Sequence, residues 1–483
     1  MRRFLDPRWT LALTTLLAIA IVWLNQSVGQ SEWEALRDRS LSPGAPIAER
    51  LRYPFVFLYR RSGDEAIYHA TASAVLGQPY DTEVLAQRGD SALPPLDTPA
   101  DGHVHVPYSE VPFEYPPPNV PFVVGPRLVT TTFNGYAQLF CAVMGVLLVI
   151  AAAVGAYLGS SRGEATAVRE ENASAMGERD AREERKRLYA CSLLLLAHGA
   201  IAIQRLDAIV AVLLVLVVHA ATHRHDLRLG LWAGLAGAVK LVPILVLPVV
   251  VIAAAIRAPR RLARVAAGAA LGLALGLGPM IALSPRALPL VLAYHGKRGL
   301  HVESTLGVLY GAAKAVAGAR EASAMSFGSF NFHTPLSDAL AKLGLPLTLG
   351  LVALVAFSEH RRSSPIAEHE ATEPLAARTE RIALALFASL VALWLGGKVF
   401  SPQYLTWAIP VVLCVPGRRG MQAIVALGVV LLLSQLYLRG FYDHVYNQWP
   451  AGIATMLVRL AVIVAMFSAL IRRRSIVPPP PRP

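Results

Sequence analysis

The sequence predicts an all-α polytopic membrane protein, on three observations. Of its 483 residues, 54% are hydrophobic and only 16% charged, against about 25% charged in soluble domains. Apolar runs at the spacing of bilayer-crossing helices recur along the whole chain. The arginines behind the net charge of +13 cluster in short turns between those runs. That placement fits the positive-inside rule and an anionic leaflet better than a nucleic-acid-binding surface, so no nucleic-acid partner is expected. Cys141, Cys191 and Cys414 lie inside apolar runs, have no metal-ligand spacing and read as small buried hydrophobes. The chain is read as one membrane unit over 1–483.

Met1–Arg8 is short and basic and Thr10–Gln26 is apolar. No small-residue cleavage pattern follows, so this reads as a retained first span. Gly29 to Pro118 is then a long polar loop (29–118), too long for a mere connector. Inside it, Ser62–Tyr80 reads S-G-D-E-A-I-Y-H-A-T-A-S-A-V-L-G-Q-P-Y. Asp64 and Glu65 open an amphipathic helical pattern that Gly77 and Pro79 close. Acids in a first turn complement the helix dipole, so they serve as a cap on one reading. On the other, Asp64 is a carboxylate held at the membrane surface as a general base, with Glu65 as its substitute. His103 and His105 follow without partners at ligand spacing and read as loop histidines.

Tyr136–Leu158 is the second span, and Ser160–Arg187, rich in Glu and Arg, reads as a flexible cytoplasmic loop (160–187). The Asn172-Ala173-Ser174 glycosylation sequon in that loop is discounted. Tyr189–Ile203 and Ala208–Ala221 form a hairpin with Gln204-Arg205-Leu206-Asp207 at its tip. Leu229–Ile256 is too long for one span and holds Lys240 and Pro243 near its middle. Two short helices meeting near Lys240 return the chain to the side it left. That keeps Arg257, Arg260, Arg261 and Arg264 in the cytoplasm. Val265–Leu283, Leu336–Phe357, Ile382–Gly396, Tyr404–Val415, Met421–Leu438 and Ala451–Ile471 are the later spans. The total is about 12 spans with both ends cytoplasmic, the arrangement that satisfies the charge rule at nearly every loop. The Pro-rich tail (472–483) reads as disordered.

That topology carries several unusual polar residues to one face. They are Asp64, the Gln204–Asp207 tip, Lys240, the loop 284–335 and Lys398–Tyr404. The loop contains Y-H-G-K-R-G-L-H-V-E-S at Tyr294–Ser304, with Arg298, His301 and Glu303 close together. Lys398–Tyr404 reads K-V-F-S-P-Q-Y, with Gln403 beside Tyr404. Taken singly, Lys240 fits a snorkelling side chain and Lys398 an interfacial anchor. Their convergence favours a shared site.

The arrangement resembles the GT-C superfamily of integral-membrane glycosyltransferases, and most of all glycosyltransferase family 87, which includes polyprenyl-phosphate-mannose-dependent mannosyltransferases. The residues that carry the resemblance are Gly63-Asp64 with Tyr68, Gly77–Tyr80, Tyr115-Pro116-Pro117 and Gln204 with Asp207. Further on come Gly237–Pro243, Arg298–His301 with Glu303-Ser304, and Ser401–Tyr404 with Trp407. It runs in order over most of the chain. The Gln204–Asp207 tip departs from the family pattern, which has a glycine before the glutamine and an Asn or Asp nearer to it, and the 160–187 insert is particular to this chain.

The resemblance implies an inverting hexosyltransferase of the cell (inner) membrane with its site on the extracytoplasmic face. Its donor would be a polyprenyl-phosphate sugar and its acceptor a lipid-linked or glycan hydroxyl, with membrane lipids around it. A hydroxyl is a poor nucleophile at neutral pH, so a carboxylate must take its proton, here Asp64. The departing lipid phosphate needs cations or donors, here Arg298, His301 and Lys398, with Lys240 behind them. Gln403, Tyr404, Glu303, Gln204 and Asp207 complete the substrate contacts. No cofactor or metal is expected, since no D-x-D-type motif is present. The alternatives are a lipid or lipid-glycan transporter or flippase, and an O-antigen-type polymerase or ligase. Against the transporter, the two halves show no repeat.

Overall fold

The computed structural model describes residues 64–80, 98–113, 115–160, 173–245, 248–250, 259–321, 323–363, 373–440 and 442–473, together with Ala12, Thr15 and Leu16. The rest of the expected span Thr10–Gln26, the stretches 29–63 and 81–97 and the Pro-rich tail after residue 473 lie outside them.

The first described helix, α1 (Asp64–Val75), ends where the sequence predicts. Gly77 follows with φ +60°, and a Cβ there would run into the backbone of His103, so only glycine closes the turn. Pro116, extended, leads into a 3₁₀ turn at Pro117–Asn119 and then α2 (Val120–Val129). Buried Asn119 ties this turn to a distant helix end, donating to Pro116 O at 3.1 Å and Val239 O at 2.8 Å.

Next comes α3 (Phe133–Gly159), capped by the Thr132 hydroxyl, which accepts from Gly135 N. The charged insert departs from expectation, because from residue 173 onward it is helical within α4 (Ala173–His198). Its acids and bases recur at helical spacing, as in the Lys186–Glu183 pair at 2.6 Å. Arg187, fully buried, then anchors the helix by donating to Leu413 O and Val415 O.

The chain turns through Gly199–Ala202 into α5 (Asp207–Thr222) and α6 (Asp226–Val239). The break at Lys240 is where the sequence predicts it: Lys240 is extended (φ −149°, ψ 117°) and a 3₁₀ turn follows at Val242–Leu245. α7 (Pro259–Leu283) then packs along α6 in parallel. Gly230 abuts Val265, Gly234 abuts Ala269, and Gly276 abuts Ala238. Parallel packing requires the chain to cross back between them, and the Arg261–Asp226 pair (3.1 Å) joins the two N-terminal ends.

This interface has no room for side chains. A Cβ on Gly230, Gly234, Gly268 or Gly272 would strike a backbone carbonyl of the other helix. Such small-residue rows let helices approach where apolar burial adds little. Gly268→Val should therefore destabilise the protein by roughly 1–3 kcal/mol, read as a lower thermal midpoint in detergent. An unchanged midpoint would contradict this packing.

The remaining elements are α8 (Ala287–Lys297), β1 (Leu300–His301), α9 (Thr305–Val316), β2 (Ala324–Ser326), β3 (Ser329–Phe332), α10 (Pro335–Ser363) and α11 (Leu375–Gly396). After them come α12 (Ala408–Leu413), α13 (Gly417–Gln435), α14 (Tyr442–Tyr446) and α15 (Pro450–Arg472). The fold is mostly helical, but the strands form an antiparallel sheet of order β1-β3-β2 within the 284–335 loop, a departure from all-α.

Six described helices, α3, α7, α10, α11, α13 and α15, are long and apolar enough to cross a membrane. The expected span Ala208–Ala221 and the described part of Leu229–Ile256, which the sequence divides into two short helices, appear as shorter helical pieces, and Tyr404–Val415 as a 3₁₀ turn (Pro402–Trp407) plus the six-residue α12. Pro402 and Pro410 explain the last, since neither offers an N–H to a continuous helix. α11 is central, with 89% of its apolar stretch buried, whereas α7 and α10 bury 28% of theirs.

The basic turns are cross-linked at the end of the bundle opposite the Lys240 break. Arg378 donates to Thr222 O, Arg419 pairs with Glu380, and Arg362 and Arg473 share Glu359. Grouping them on one side agrees with the charge pattern.

Candidate functional site

A cavity of about 190 Å³ opens where α1, the α4–α5 turn, the Lys240 break, the 284–335 loop and the Ser401–Tyr404 turn meet. Of the residues singled out in sequence, Asp64, Lys240, Arg298, His301, Glu303, Gln403 and Tyr404 line it. Gln204, Asp207 and Lys398 do not.

Asp64 stands in the first turn of α1, and its carboxylate is paired with the Arg205 guanidinium. Tyr68, one turn further, lies 3.3 Å from the Tyr115 hydroxyl, and both rings line the same wall. The Pro turn at 115–117 thus delivers a tyrosine to the cavity as well as the chain to α2. Glu65 cannot stand in for Asp64. It is fully buried, points toward α3 and accepts from Cys141 Sγ at 3.0 Å.

The cations divide into three roles. Lys240 is neutralised from below, its ammonium 2.8 and 3.0 Å from the two oxygens of buried Asp207. Trp407 Nε1 donates to the same carboxylate at 2.6 Å, and Lys240 lies 4.9 Å from the Tyr404 ring centroid. Asp207 is therefore a counter-ion beneath the cavity rather than a substrate contact. Gln204, fully buried beside it, is likewise removed from the cavity.

Lys398 also departs from expectation. Its ammonium donates to the carbonyls of Gly296 and Arg298, both at 2.8 Å, and its own carbonyl accepts from His301 N at 3.1 Å. It caps the end of α8 and holds the turn that carries Arg298. Arg298 is the charge open to the cavity: its guanidinium donates to Ser329 Oγ at 2.9 and 3.3 Å. Among the described residues it makes no carboxylate contact.

His301 and Glu303 form the buried back wall. Glu303 receives the Tyr437 hydroxyl, lies 3.9 Å from Arg459 and 3.8 Å from His301. Arg459 also donates to Glu303 O and to Tyr437, 2.8 and 2.7 Å away. These polar groups are turned on one another, so both residues hold the wall together.

Burial pushes the Glu303 carboxyl up to about 7, against the pull of Arg459. Burial, reinforced by Arg298, pushes His301 down to about 3 and His295 down to about 4. Both histidines are thus neutral in the fold but take up protons below about 6.5 once unfolded. Their contribution is lost as pH falls below that value. Glu303 runs the other way, its contribution present at low pH and lost as pH rises through about 7. With two groups against one, stability should fall as pH drops below about 6.5. Thermal unfolding in detergent between pH 7 and 5 checks this. The midpoint should fall on acidification, less so in His301→Gln, and a midpoint that rises would contradict it.

Sequence reasoning named Arg205 only as part of the Gln204–Asp207 tip and did not single out Tyr437, Tyr442, Arg459 or Phe327. Arg459 carried a readable signal, a lone charge in the middle of an apolar run. Tyr442 and Phe327 carried none, because only the folded chain brings them to the cavity, and Tyr437 none, because only the fold sets it against Glu303. Compared with family models, with curated proteins and with solved structures, the chain gave no match.

Proposed function

We propose that the protein is a membrane glycosyltransferase of GT-C type, similar to family 87, that moves a hexose from a polyprenyl-phosphate donor to an acceptor hydroxyl with inversion. The observation that carries the reading is a single cavity lined by a carboxylate, Asp64, and by Arg298, a cation without a carboxylate contact among the described residues. An inverting transfer needs those two groups. The acceptor O–H proton passes to Asp64 as its oxygen bonds the anomeric carbon, and the bond from that carbon to the phosphate oxygen breaks. The electron pair leaves on the phosphate, where Arg298 compensates the charge.

The resemblance supplies mannose as the sugar and a lipid-linked or glycan acceptor. The positive-inside pattern supplies the extracytoplasmic face of the inner membrane. Arg205, paired with the Asp64 carboxylate, holds it in place at the cavity before substrate arrives. Lys398 acts through Arg298, as a positioning residue.

A lipid transporter would instead use the break at Lys240, where the helix is interrupted beside a buried ion pair. Proteoliposomes supplied with polyprenyl-phosphate-mannose and a panel of lipid acceptors separate the two. Glycosyl transfer without lipid scrambling is the expected outcome; scrambling without transfer would favour the transporter.

A further inference from the structure

The β2–β3 hairpin carries a residue that its turn does not favour. Ser326 pairs with Ser329, which leaves Phe327 and Gly328 as the whole loop. Both have positive φ, +51° and +69°. A two-residue loop with both residues left-handed is a type I′ turn, which takes Asn, Asp or Gly first because larger side chains crowd their own backbone there. Phenylalanine in that place is strained.

The surroundings hold it nonetheless. Buried Asn331 staples the hairpin, donating to Ser326 O at 2.8 Å and Ser329 O at 3.0 Å. Tyr294 donates its hydroxyl to Phe327 O at 3.0 Å and meets the Phe327 ring edge-on, centroids 5.3 Å apart. Phe327 lines the cavity, and Ser329, two residues along, is the partner of Arg298. Strain kept in place by a rigid surround marks positions where function, not stability, selects the side chain.

We propose that Phe327 recognises the donor sugar, its ring forming an apolar platform for the C–H face of the hexose. The inference rests on the glycosyltransferase reading. A pyranose shows a patch of weakly positive C–H groups on one face, which suits the negative face of an aromatic ring. The sugar is joined to its phosphate through one oxygen. A phosphate held at Arg298 therefore leaves the hexose beside the hairpin tip. The hairpin thus couples phosphate binding and sugar recognition through Ser329.

The test compares binding of polyprenyl-phosphate-mannose and bare polyprenyl phosphate to the purified full chain in nanodiscs. Wild type should prefer the mannosylated lipid. Phe327→Asn should weaken binding of that lipid about tenfold and leave the bare phosphate unchanged. Its thermal midpoint should hold or rise, since Asn suits a type I′ turn. Phe327→Trp should keep the preference. Phe327→Asn with the wild-type preference overturns the proposal, as does a lower midpoint with equal losses for both lipids, which would make Phe327 merely structural. Equal wild-type affinity for the two lipids refutes sugar recognition alone, whereas a wild type that binds neither refutes the glycosyltransferase reading and this inference with it.

Discussion

Asp64→Asn should lower sugar transfer by roughly 10²–10⁴-fold, the usual range for a positioned general base. The amide keeps the shape of the carboxylate and its capping oxygen but cannot accept the acceptor's proton. A helix cap behaves otherwise: Asn caps about as well as Asp, so the same change would be nearly silent. Loss of the Arg205 ion pair is a separate effect, and it is measured by the thermal midpoint rather than by activity. Asp64→Glu should be intermediate or inactive, because one more methylene displaces the carboxylate by about 1 Å, enough to spoil a near-attack geometry. A folded Asp64→Asn protein with normal transfer would remove Asp64 from the chemistry. Glu65 could not replace it, buried as it is against Cys141.

Arg298→Ala should reduce kcat/KM for the donor by about 2–4 kcal/mol of transition-state stabilisation, on the order of 30- to 1000-fold. Its guanidinium faces the cavity and, among the described residues, is satisfied only by the Ser329 hydroxyl. Arg298→Lys should recover part of the loss, since an ammonium cannot hold two phosphate oxygens at once. Lys398→Ala should produce a smaller loss, because it removes a brace on the Gly296 and Arg298 carbonyls rather than a phosphate contact. Equal donor kinetics in wild type and Arg298→Ala would mean that the phosphate binds elsewhere.

Local chemistry made much of this architecture legible before the fold was known. Gly77 ends α1 because backbone geometry acts within one turn. The helix broke at Lys240 because a partly buried lysine and a nearby proline both oppose a continuous span. The parallel packing of α6 and α7 follows from that break, and their glycine rows were readable in hindsight as small residues every fourth position.

What the sequence concealed depends on partners remote along the chain. Lys398 and Arg298 are alike as cations in sequence, yet one points into backbone carbonyls and the other into the cavity. Asp207 resembled a substrate ligand until Lys240 and Trp407 closed on it. The β2–β3 hairpin was hidden because its turn, Phe327-Gly328, lacks the residues that announce a type I′ loop. The charged insert reads as a flexible loop by composition, but from residue 173 it is helical, and buried Arg187 fixes its end against the carbonyls at the close of α12.

The most direct measurement is the fate of the donor. Purified protein in nanodiscs, given polyprenyl-phosphate-mannose and a lipid acceptor fraction, should release one polyprenyl phosphate for each mannose transferred. The new glycosidic bond should have the anomeric configuration opposite to that of the donor, as read by NMR of the product. Mannose transfer with retained configuration would contradict single displacement driven by Asp64. A donor that stays intact with every acceptor offered would contradict the assignment itself.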